Sequence, residues 1–117
     1  MINIPTELQE HIALAQWLNL KKIRFYHPAN GGVRSPKEGA KFKAMGTSPG
    51  IPDICIPIPI YPYHGLYIEL KRIRKSRISP AQQGWIDFLN NEGYLAKVCL
   101  GFDNAKYVID KYLDKHY

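Results

Sequence analysis

One short segment constrains this chain more than any other. In Leu66-Tyr-Ile-Glu-Leu-Lys-Arg72, strand alternation puts Leu66, Ile68 and Leu70 on one face and Tyr67, Glu69 and Lys71 on the other. The first face is wholly apolar, so the strand belongs in a core. The second face then carries a carboxylate and an ammonium together within a sheet. Burying such groups is costly unless they pair or meet an ion. A structural salt bridge is one solution, and a metal site with a charged helper is the other.

The flanking segments read as an α/β layer with a mixed sheet. Thr6 caps a helix over residues 6–22, with Leu8, Ile12, Ala15 and Leu18 or Leu20 expected inward. Ile23–His27 reads as a short strand stopped by Pro28. Residues 28–50 read as a long loop with one helical stretch at Pro36–Met45. Asp53–Ile56 is a second short strand, and the prolines that follow it break the ladder. Tyr61, Tyr63 and His64 lie in the hairpin loop before Gly65. The two tyrosines either stack on a base or cover the hairpin. Ser79-Pro80 opens a helix running to about Asn91, with Trp85 in the core. Tyr94–Leu100 is a strand, and Asp103 is expected to cap a last helix. His11 and His27 lack a partner at metal-ligand spacing and read as ordinary residues.

Asp53 stands at the start of the strand expected beside Leu66–Arg72. Neighbouring strands lie about 5 Å apart, so Asp53 and Glu69 can share a divalent cation. Carboxylates and water suit Mg²⁺. Lys71 would then steady an attacking water or a developing anion.

Charge points to a polyanion. The chain has 117 residues and a formal net charge of +6, and five of the seven residues from Lys71 to Arg77 are basic. A second basic set is Arg34, Lys37, Lys41 and Lys43. Clustered positive charge favours nucleic acid as partner. Composition (45% hydrophobic, 22% charged) predicts one globular domain over residues 1–117. Cys55 and Cys99 have no zinc-ligand spacing and are too few for a disulfide scaffold. No apolar run approaches a membrane span, and the first residues lack a signal core. The expected location is cytoplasmic, in a bacterial or phage-infected host.

Several of these segments together resemble the PD-(D/E)xK nuclease superfamily, and within it the VRR-NUC branch. The residues that carry the resemblance are Met45-Gly46-Thr-Ser-Pro-Gly50-Ile-Pro-Asp53, Gly65-Leu-Tyr-Ile-Glu69-Leu-Lys71-Arg72 and Ser79-Pro-Ala-Gln82-Gln-Gly-Trp85, continued by Gly93-Tyr94 and residues 98–105. The resemblance implies a restriction-endonuclease-like αβββαβ core. It implies that Asp53 and Glu69 ligate Mg²⁺ or Mn²⁺, with the backbone carbonyl of Leu70 as a further ligand. Lys71 would be the catalytic lysine, and Gln82 the helix glutamine facing the site. A first-helix glutamate completes the set. Glu7 and Glu10 are the candidates; we assign Glu10 and read Glu7 as a first-turn glutamate favoured by the helix dipole. Arg34, Lys41, Lys43, Arg72, Arg74, Lys75 and Arg77 are expected to contact DNA. The implied activity is metal-dependent DNA cleavage, by a homodimer acting on branched DNA such as four-way junctions. A sequence-specific restriction-type nuclease and a catalytically silent DNA-binding subunit are the rival readings.

Overall fold

The structure, a computed structural model, describes residues 3–28, 35–74 and 76–115. Its elements run α1 (Glu7–Leu20), α2 (Pro36–Ala44), β1 (Ile54–Ile56), β2 (Leu66–Lys71), α3 (Pro80–Asn91), β3 (Leu95–Leu100) and α4 (Gly101–Leu113). The strands form one sheet in the order β1-β2-β3. β1 pairs antiparallel with β2, and β2 pairs parallel with β3. The α/β reading with a mixed central sheet flanked by helices therefore holds. The strand expected at Ile23–His27 shrinks to a single antiparallel bridge, in which Tyr26 and Cys55 exchange two 2.9 Å backbone hydrogen bonds. Pro28 follows two residues later and cannot donate to a ladder.

Alternation along β2 sorts the molecule into two layers. Leu66, Ile68 and Leu70 join Leu95 and Cys99 of β3 and Ile54 and Ile56 of β1 in the main core, against Leu14 and Leu18 of α1 and Ala105, Val108, Ile109 and Tyr112 of α4. On the opposite side, Ile86 and Leu89 of α3 pack on Ala96, with Tyr67, Trp85, Tyr94 and Val98 around them. Fully burying one such leucine or isoleucine is worth roughly 1.5–3 kcal/mol. β2 is thus held between helices on both faces.

The phase of α1 differs from expectation. Its buried residues are Glu10, Leu14 and Leu18, spaced by four, whereas Leu8 and Leu20 are 69% and 79% exposed. Apolar residues occur on both sides of this helix, so periodicity alone does not select a face. A capping box joins Thr6 and Gln9 at its start. The last helix also begins differently: α4 has no side-chain cap of its own. The acceptor is Glu10, 92 residues away, whose Oε2 receives the Phe102 N–H at 2.7 Å.

Candidate active site

Glu69 and Lys71 occupy the face of β2 opposite the main core. The register pairs Ile54 with Ile68, and one further step sets Asp53 beside Glu69. The Asp53 carboxylate is anchored there: its Oδ2 accepts from the Leu70 backbone N–H at 2.9 Å. The loop before Asp53 needs a glycine. Gly50 has φ +87°, and a Cβ at that position would lie 2.5 Å from the Ala81 carbonyl carbon. The missing side chain lets this loop touch the first turn of α3, the turn that carries Gln82.

Gln82 serves two purposes. Its Oε1 accepts from the Ser79 N–H at 2.9 Å, completing the capping box of α3. Its Nε2 donates to Glu69 Oε2 at 3.0 Å. The helix cap thus fixes the amide that orients Glu69. Lys71 Nζ lies 3.6 Å from the same Oε2 and 4.0 Å from Glu7 Oε1.

The other oxygen, Glu69 Oε1, is buried and has no hydrogen-bond partner. Leaving a buried acceptor unpaired carries a desolvation penalty. Burial first, and the neighbouring Asp53 carboxylate second, push Glu69 up to about 8, against the opposing pull of Lys71. A divalent cation between Asp53 and Glu69 would satisfy that oxygen and neutralise both carboxylates. The donor set is all oxygen, which fits Mg²⁺ or Mn²⁺.

Two expected site residues are placed elsewhere. Glu10 is 7% exposed, and its carboxylate is spent on the N-terminus of α4. The first-helix glutamate that reaches Lys71 is Glu7. The positive end of a helix favours a carboxylate at that place, so the geometry prefers Glu7 to Glu10 as the candidate beside Lys71. Arg72 is similarly engaged within the chain. Its Nε and Nη2 donate to the carbonyls of Pro5 and Ile4 at 3.1 and 3.2 Å, tying the residues before α1 to the end of β2. These bonds make Arg72 a link between the start of α1 and the end of β2. Lys41 and Lys43 are exposed on α2, which buries none of its residues, and Arg74 and Arg77 are exposed after β2. Arg34 and Lys75 lie outside the described residues.

The sequence reading missed His11 and His27. One ligand atom from each lies within 4.8 Å of the other and of an Asp53 carboxylate oxygen. The rings stand edge to face, 4.5 Å apart. His27 Nδ1 donates to the Asp53 carbonyl at 2.6 Å. Burial, then the neighbouring His27, lower the His11 pKa, with Asp53 opposing. No spacing rule joins positions 11, 27 and 53; tertiary contacts, the Tyr26–Cys55 bridge and the His27–Asp53 hydrogen bond among them, bring them together.

Carboxylates set against a lysine on a mixed sheet form a class of site able to hold a divalent cation beside a charged donor. Comparison with known proteins narrows this class to one family. The model of the VRR-NUC domain matches residues 6–103. A solved "VRR_NUC domain protein" is 35% identical, with a TM-score of 0.81 over 96% of this chain and 91% of its own. This chain belongs to the VRR-NUC domain family, a family of nucleases. A search of curated proteins finds no match. Among the described residues, no helix is long and apolar enough to cross a membrane.

Proposed function

We propose that this chain is a metal-dependent DNA endonuclease in which Glu7, Asp53 and Glu69 hold Mg²⁺ or Mn²⁺, with the Leu70 carbonyl as a further ligand. The observation that carries the reading is the unpartnered Glu69 Oε1, buried beside Asp53. A bound divalent cation supplies Lewis acidity toward water and neutralises charge at the phosphate. The protein's own groups do the rest. Gln82 and the Leu70 amide hold the two carboxylates in fixed orientations. Lys71 presents its ammonium to the attacking water or to the non-bridging oxygens, where charge grows in the transition state. Water adds to phosphorus and the P–O3′ bond breaks, leaving a 5′-phosphate.

Lys41, Lys43, Arg74 and Arg77, all exposed, would supply phosphate contacts. Arg34 and Lys75 belong to the same expected set. Such contacts position a nucleic acid without reading its bases. The +6 charge supports a DNA substrate. We further propose that the substrate is branched DNA, such as a four-way junction, and that the working unit is a homodimer. Two copies related by a two-fold axis would nick two strands symmetrically. We place this activity in the cytoplasm.

The test is incubation with a synthetic four-way junction, a matched linear duplex and a single strand, with Mg²⁺, Mn²⁺ or EDTA. Paired symmetric nicks on the junction, abolished by EDTA, are expected. Cutting of linear duplex at one short sequence would instead establish restriction-type activity. Binding without cutting under every metal condition would overturn the enzymatic reading.

A further inference from the structure

We propose that His11 and His27, together with the Asp53 carboxylate, form a second metal position that takes transition-metal dications in preference to Mg²⁺. It shares Asp53 with the nuclease site but does not depend on DNA being cut. Three observations carry it.

The first is convergence. One nitrogen from each imidazole and one Asp53 oxygen lie within 4.8 Å of one another. Metal bonds of about 2.0–2.2 Å in a tetrahedral site place ligand atoms roughly 3.4 Å apart. Closing this group around an ion therefore takes side-chain shifts on the order of an ångström. The three residues sit on well-held backbone. His11 is within α1, Asp53 directly precedes β1, and His27 follows the Tyr26–Cys55 bridge.

The second is tautomer control. His27 Nδ1 donates to the Asp53 carbonyl at 2.6 Å, which leaves Nε2 as the basic nitrogen. Metal-binding histidines characteristically have their other ring nitrogen fixed by a carbonyl or carboxylate in this way. His11 is also half-buried.

The third is the anchoring of the Asp53 carboxylate. Oδ2 takes the Leu70 amide and is fixed in orientation. One oxygen of the same carboxylate lies within 4.8 Å of a nitrogen of each imidazole. A simple edge-to-face ring pair accounts for His11 and His27 but not for the carboxylate converging on them.

The ligand chemistry sets the preference. Mg²⁺ takes oxygen ligands and gains little from imidazole. Mn²⁺, Co²⁺, Ni²⁺ and Zn²⁺ accept mixed nitrogen and oxygen sets, with affinity rising from Mn²⁺ to Ni²⁺. The two neighbouring positions thus divide metals by softness: Glu69 and Glu7 serve the all-oxygen side, and His11 and His27 the nitrogen side.

The experiment uses tag-free full-length protein titrated with Co²⁺ or Zn²⁺ in the absence of DNA. Co²⁺ binding is read by visible absorption, and Zn²⁺ binding by the imidazole nitrogen shifts of His11, His27 and His64. We expect Zn²⁺ to move the His11 and His27 signals and leave His64 unmoved. His11→Gln and His27→Gln should each weaken Co²⁺ binding by about 10-fold or more, on the scale of altered metal-site partners. His11→Gln on exposed-to-half-buried α1 guards against loss of fold at His27, and circular dichroism verifies both variants. Glu69→Gln should leave imidazole-dependent Co²⁺ binding in place while removing Mg²⁺-dependent cleavage. Failure of the nuclease reading alone would appear as no cleavage with the His11 and His27 shifts intact. Unchanged Co²⁺ affinity in the folded double variant, or Zn²⁺ shifts absent from His11 and His27, would overturn the proposal.

Discussion

Glu10 and Glu69 are both buried carboxylates, at 7% and 3% exposure, yet they do opposite things. Glu10 gives an oxygen to the Phe102 amide at the start of α4, where the helix dipole favours negative charge. Gly101, at φ +84°, makes room for it, since a Cβ there would collide with that carboxylate. Glu69 has a glutamine and a lysine on one oxygen and nothing on the other. Burial of an acid therefore says little about its role. What separates a structural carboxylate from a reactive one is whether its lone pairs are already used within the chain.

The largest effect expected from this contrast is on cleavage. Glu69→Gln or Lys71→Ala should lower cleavage by about 10³-fold or more in a junction assay, while a gel-shift assay shows DNA binding largely retained. Cleavage surviving both changes would move the chemistry elsewhere. The first-helix pair should then separate cleanly. Glu7→Gln should cut the cleavage rate by about 10²-fold with almost no change in melting temperature. Glu10→Ala should destabilise the fold by roughly 1–3 kcal/mol, the scale of a lost charge-assisted cap. For a domain of this size that is a fall of several degrees in thermal denaturation.

Proton linkage sharpens the same contrast. Glu69 titrates at about 8 in the fold against 4.5 for an unperturbed glutamate. Between these values the folded state binds more protons than the unfolded one, so this group's contribution to stability declines as pH rises. In EDTA, Glu69→Gln should raise the melting temperature at pH 8, and the gain should vanish by pH 4. A gain that grows toward acid pH would contradict the assigned cause.

Much of this was readable from the chain, and the exceptions share a physical cause. Alternation in Leu66–Lys71 places Glu69 and Lys71 on one face without any tertiary information, and Ser79-Pro80 marks the start of α3 locally. Glu7 and Glu10 are about 60° apart around a helix of 3.6 residues per turn, so periodicity hardly separates them. Their contacts are made with Lys71 and Phe102, which are distant in sequence. The same holds for Arg72, captured by the carbonyls of Ile4 and Pro5. Local rules also favour Asp103 as the cap of α4, yet the acceptor comes from α1. His11 and His27 become a pair through tertiary contacts, among them a bridge at Tyr26 that carries too little regular pairing to count as a strand.

Smaller effects test the surroundings. Gly50→Ala should strain the φ +87° turn and push the Asp53 loop away from α3, costing about 1–2 kcal/mol in denaturant unfolding. Removing an exposed cation such as Arg74 or Arg77 should reduce the salt slope of DNA binding by about 1 each, uniformly across sequences. Arg72→Ala should instead lower stability, because its hydrogen bonds are internal.

The most direct test of the difference between the two carboxylates is Mg²⁺ binding measured by calorimetry without DNA, on the parent protein, Glu69→Gln and Glu10→Gln. The account predicts binding in the parent and in Glu10→Gln, and its loss in Glu69→Gln. Mg²⁺ binding that survives in Glu69→Gln, or disappears in a folded Glu10→Gln, would contradict it.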